Sequence, residues 1–117
     1  MIDWNRIAEL RADVGDDALA EVVAVFVEEM DATVACLRGL PDSVALADEL
    51  HLLKGASSNL GLGALSALAD TGETIARAGQ GAAELGDVVA QIEALYASSR
   101  ADLMRALPGS APVTARS

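Results

Sequence analysis

Apolar residues recur three or four positions apart in five separate stretches of this chain, a spacing that fits helices and little else. The first stretch, about 4–14, sets Ile7, Leu10 and Val14 on one side behind Asp3, a natural N-cap. The second, about 17–38, repeats Leu19, Val23, Phe26, Met30 and Leu37, and "GLPD" at 39–42 interrupts it. The third begins near Asp42 or Ser43 and runs to about Leu60, with Gly61 and Gly63 as terminators. The fourth, about 64–78, carries Leu65, Leu68, Gly72 and Ile75 and stops at "GQG". The fifth, about 84–106, carries Val88, Ile92, Leu95, Ser99 and Leu103. Four long segments joined by short connections predict an all-α, antiparallel up-down four-helix bundle with a short additional N-terminal helix. Residues 1–107 form the expected domain, and the small, polar, proline-containing 108–117 reads as a disordered tail.

Composition narrows the function classes. The 117 residues are 52% apolar but only 3% aromatic, so the core must be built from Leu, Val, Ile and Ala. A net charge of −10, with the Lys and Arg scattered, argues against nucleic acid, whose binding depends on cations meeting phosphates. The single cysteine, Cys36, leaves no internal disulfide and no Cys-based zinc site, and reads as a small filler. No apolar run is long enough for a membrane span, and the N-terminus lacks the apolar core of a signal peptide. A cytoplasmic monomer is the expectation.

The chain's one histidine is the informative residue. In the third segment Leu46, Leu50, Leu53, Ser57 and Leu60 form the core seam. At about 100° per residue His51 lies roughly 160° from Leu53 and faces outward. Val44, Ala47, Lys54, Gly55 and Ser58 share its face. A helix-interior glycine costs about 1 kcal/mol relative to alanine, so Gly55 implies that something bulky approaches the backbone there. In the fourth segment Ser66, Asp70, Glu73 and Arg77 form a polar stripe beside the apolar one.

"HLLKGASSNLGLGAL" resembles the phosphorylation motif of histidine-containing phosphotransfer (Hpt) domains. In that family the histidine is followed by an apolar residue, Lys-Gly, small residues, then Gly at +10 and Leu at +14. Here these are His51, Leu53, Lys54, Gly55, Ala56 to Ser58, Gly61 and Leu65. "VGDDALAEVVAVFVEEM" also resembles a family opening, and the likeness extends over about residues 3–105.

The resemblance implies a phosphorelay intermediate. His51 would accept a phosphoryl group from a receiver aspartyl phosphate or a sensor or hybrid histidine kinase, and pass it to the aspartate of another response-regulator receiver. Family members place a Glu or Gln 22 positions after the histidine to hold the ring, and Glu73 stands there. Lys54, and after it Arg77, would supply positive charge to the phosphoryl oxygens. Val44, Ala47, Gly55, Ser58 and Leu62 would line the face toward the partner. By the same resemblance there is no ATP site and no cofactor of the chain's own, and Mg²⁺ belongs to the receiver.

Two rivals come from other classes. A carboxylate–histidine metal site could use Asp48, His51 and Glu73, imitating the Glu-x-x-His of ferritin-like bundles. That arrangement needs two inward-pointing motifs, and this chain has one histidine pointing outward. A helical adaptor without phosphotransfer is the other; it would tolerate loss of His51. Ser58 lies two turns from His51, too far for a nucleophile–base pair, and "GASSNLGLG" lacks a P-loop's Gly-Lys-Ser/Thr.

Overall fold

The computed structural model describes residues 2–40, 42–79 and 81–106; the tail expected at 108–117 lies outside them. Among the described residues four helices follow one another: α1 Trp4–Cys36, α2 Ser43–Asn59, α3 Gly63–Ala78 and α4 Ala82–Ala106, with a short 3-10 turn Leu37–Gly39 after α1. Asp3 caps α1 as expected, its carboxylate accepting from the Asn5 and Arg6 N–H groups at 3.0 and 3.4 Å. Asp42 does the same for α2, accepting from Ala45 N–H at 2.8 Å. Gly15, with φ 84 and ψ 162, breaks α1 into a short N-terminal limb and a long limb. The two segments expected at 4–14 and 17–38 are therefore both present.

The pairing is antiparallel, because residue numbers rise on one helix as they fall on its neighbour. Met30 meets Ser57 and Cys36 meets Glu49 between α1 and α2. His51 meets Glu73 and Lys54 meets Asp70 between α2 and α3. Asp31 meets Arg100 and Arg38 meets Glu93 between the α1 end of the chain and α4. The ring of helices closes on Leu19, Val23 and Met30 of α1, Leu50 and Leu53 of α2, Leu65 of α3, and Ile92 and Leu103 of α4, all buried. Each such side chain stabilises the fold by about 1.5–3 kcal/mol through burial. Among the described residues no helix is long and apolar enough to cross a membrane.

Two glycines set the geometry around the second helix. Gly61 adopts φ +75 at the α2–α3 corner, and a Cβ there would lie 2.7 Å from the Asp3 carbonyl oxygen. That closeness lets Asp3 N–H donate to the Gly61 carbonyl at 2.7 Å, while Arg6 Nε donates to Asn59 O at 2.9 Å, so the N-terminal limb is tied to the corner. Gly72 lets α3 approach both neighbours: its Cβ would stand 3.0 Å from Leu50 Cδ1 and 3.2 Å from Val88 Cγ1.

Three expectations are corrected. Val14 is 39% exposed rather than in the core, because every residue from Arg11 to Asp17 is exposed and the limb leaves the bundle before its last turn. Leu62, expected on the outward face, is 1% exposed. The helical wheel stops applying at Asn59, and the left-handed turn at Gly61 sends Leu62 inward. Ala47, expected beside His51 on the partner-facing side, is fully buried. It sits three residues before the core Leu50, on the edge of α2 over which α3 packs with the small residues Ala69, Gly72 and Ala76.

Candidate functional site

The α2–α3 seam carries one cluster of polar side chains, centred on Glu73. His51, on the middle of α2, is 62% exposed at its side chain, and Glu73 on α3 only 11%. Nδ1 of the ring lies 3.3 and 3.2 Å from the two Glu73 oxygens. A carboxylate only accepts, so this contact calls for a proton on Nδ1, and the tautomer that supplies it carries its lone pair on Nε2. Nε2 meets no hydrogen-bond donor among the described residues. The imidazole is thus held from behind and presents its nucleophilic nitrogen to solvent.

Glu73 is held in turn. Arg77, one turn further along α3, donates from Nε at 2.9 Å and places Nη2 at 2.9 Å from the same oxygen. Lys54 Nζ lies 3.5 Å from Oε1, the other oxygen. Burial pushes the Glu73 carboxyl pKa upward, but Arg77, then His51 and Lys54, more than offset it and hold the group below its ordinary value. Glu73 is therefore an anion at neutral pH, as an acceptor for Nδ1–H must be.

Both cations have further carboxylate partners. Lys54 donates to Asp70 at 3.1 Å, and that hydrogen bond first of all raises the lysine pKa. Arg77 Nη2 lies 3.5 Å from Asp48. Asp48 is thus turned to an arginine and does not join the ring as the metal-site rival requires. Among the described residues no three His, Cys, Asp or Glu side chains are grouped as metal ligands. Ser66, from the same α3 stripe, donates to the Lys54 carbonyl at 3.3 Å and fastens α3 to α2 one turn from the ring.

Of the residues expected to line the partner-facing side, Val44, Gly55 and Ser58 are exposed, while Ala47 and Leu62 are not. A Cβ on Gly55 would meet nothing within 4 Å, so packing inside this chain does not explain the glycine. In the sequence Asp48 reads only as a metal ligand and Asp70 only as part of a polar stripe. The pairing of His51 with Glu73 fixes the α2–α3 register. Three residues forward on α2 and three back on α3 lead to Lys54 and Asp70; three back and four forward lead to Asp48 and Arg77.

An antiparallel helical bundle that anchors one exposed imidazole to a carboxylate of the next helix, with Lys and Gly following the histidine by three and four positions, defines a histidine phosphocarrier class. The sequence profile of the Hpt domain matches residues 21–109. Among curated proteins the chain is 30% identical over 106 residues to the phosphorelay protein LuxU of Vibrio vulnificus, strain YJ016, covering 88% of this chain and 92% of that protein. The LuxU of strain CMCP6 matches to the same extent. No solved structure gives a significant match. The chain belongs to the Hpt domain family, which makes it a phosphotransfer intermediate of two-component signalling.

Proposed function

We propose that His51 is the residue that carries the phosphoryl group, through Nε2, between the aspartates of receiver domains or from a histidine kinase to a receiver. The ring's placement supports this reading: Nδ1 is engaged by Glu73, and the opposite nitrogen faces solvent. In the forward step the Nε2 lone pair attacks phosphorus, the P–N bond forms, and the P–O bond to the donor's carboxylate breaks. The phosphorylated ring keeps its Nδ1 proton and gains positive charge, which the Glu73 anion stabilises. Transfer onward reverses these events at the aspartate of the next receiver.

Lys54, and secondarily Arg77, supply positive charge near the phosphoryl oxygens. In-line phosphoryl transfer depends mostly on positioning and charge, so a surface histidine with a fixed ring suffices on this side. In this reading the Mg²⁺ and the acidic pocket come with the receiver, the chain acts as a carrier with no nucleotide site of its own, and the exchange takes place in the cytoplasm. Val44, Gly55 and Ser58 lie on the side the receiver closes over, with Gly55 leaving room for it.

The test is transfer from a ³²P-labelled receiver. Label should appear on this chain in an acid-labile, alkali-stable linkage and be absent from His51→Gln. Label persisting in that variant would move the site elsewhere.

A further inference from the structure

Both cations around His51 are already engaged by carboxylates before any phosphoryl group arrives. Lys54 and Arg77 face three carboxylates, those of Asp48, Asp70 and Glu73. The two cations differ in how firmly they are held. Arg77 is fixed by two contacts of 2.9 Å to Glu73 and by Asp48 beyond. Lys54 has a flexible stem, a single hydrogen bond to the exposed Asp70, and a longer contact to the same Glu73 oxygen that the ring Nδ1 approaches. Lys54 is the cation that can move, and Asp70 is what it must leave. Asp70 has no other cation partner among the described residues.

We propose that Asp70 is a positioning residue for the phosphorylated state: by competing for the Lys54 ammonium it keeps that cation from gripping a phosphoryl group on His51, and so keeps the group easy to pass on. This rests on His51 as the carrier. A carrier must hold its cargo and surrender it, and a lysine fully committed to the phosphoryl oxygens would favour holding. The Lys54–Asp70 pair lies at the surface, and exposed pairs of this kind change equilibria by factors of about two to five. Asp70 would shift the balance between holding and passing by that factor, without touching the ring.

The full chain is phosphorylated on His51 with phosphoramidate, whose P–N bond breaks with loss of ammonia as the Nε2–P bond forms. The fraction of label retained is then measured at equilibrium with a purified receiver. Asp70→Asn should raise retention on His51 about two- to five-fold, and Asp70→Glu should restore the original balance. In a Lys54→Gln background the same Asp70→Asn change should have no further effect, because there is no lysine left to release. Equal retention in Asp70→Asn and the parent, or an effect that survives in Lys54→Gln, would overturn the role given to Asp70. Label missing from the parent chain, or kept by His51→Gln, would sink the assignment of His51 itself and the Asp70 inference with it.

Discussion

Across α2–α3 and across α1–α4 the described residues form two polar clusters built on one plan, a carboxylate held by an arginine and an aromatic ring. In the first, Glu73 accepts from the His51 ring and from Arg77. In the second, Asp31 accepts from the Tyr96 hydroxyl and from Arg100, whose Nε and Nη2 reach its two oxygens at 2.9 and 3.2 Å. Each carboxylate is held below its ordinary pKa, Asp31 chiefly by the arginine and Glu73 by cations that overcome its burial. The difference lies in the aromatic partner. Tyr96 is buried, its hydroxyl turned inward between Asp31 and the Val27 carbonyl at 3.2 Å, and burial first, then Asp31, drives its pKa up. The His51 ring turns its free nitrogen outward. One cluster uses its aromatic group to join two helices, while the other leaves a ring nitrogen without a partner among the described residues.

That contrast is broken most directly at the two aromatic residues. His51→Gln should abolish phosphoryl transfer while leaving unfolding stability within about 0.5 kcal/mol of the parent, as expected for an exposed side chain. Chemical denaturation read beside the transfer assay checks both halves. Loss of cooperative unfolding in His51→Gln would give the ring a structural role and erase the distinction between the clusters.

Glu73→Ala should slow transfer about 10- to 100-fold, the usual scale for losing the partner that orients an imidazole. Glu73→Gln, which keeps an acceptor for Nδ1–H but removes the charge, should fall in between. Receiver binding should be unchanged in both, since Glu73 is largely covered, at 11% side-chain exposure, and lies outside the face proposed for docking. A transfer rate in Glu73→Ala equal to the parent's would remove the carboxylate from the mechanism.

Much of the α2–α3 site was legible in the sequence, because it is written along single helices. The seam of Leu50, Leu53, Ser57 and Leu60 places His51 outward, and the Ser66–Asp70–Glu73–Arg77 stripe places a carboxylate on the adjoining helix. The α1–α4 cluster has no such local signature. Asp31 and Arg100 are 69 residues apart, and nothing near either one announces the other until the helices are docked in register. Ala47 and Leu62 were misplaced for a related reason. A wheel gives a direction on one helix, but it knows neither how closely α3 approaches through Gly72 nor that the chain reverses at Gly61.

Tyr96→Phe sharpens the comparison from the structural side. It removes one hydrogen bond to a charged group while leaving Arg100 on Asp31, so stability should fall by about 1–2 kcal/mol. Transfer to and from His51 should stay at the parent rate. A slowed transfer with full stability would mean that the two clusters communicate through the bundle and that the division between them is wrong.

The smallest effects are expected at two glycines on facing helices, and they separate intramolecular packing from partner access. Both lie inside helices, where alanine gains about 1 kcal/mol from propensity. At Gly72 the new methyl would press on Leu50 Cδ1 at 3.0 Å and Val88 Cγ1 at 3.2 Å, so crowding between α3 and its neighbours should cancel or reverse the gain. At Gly55 the methyl meets nothing of this chain within 4 Å, so Gly55→Ala should raise the melting temperature. If Gly55 is open because a receiver must close over His51, the same variant should pass its phosphoryl group several-fold more slowly despite being more stable. A Gly55→Ala protein that is both more stable and as fast as the parent would leave the glycine without a function in docking.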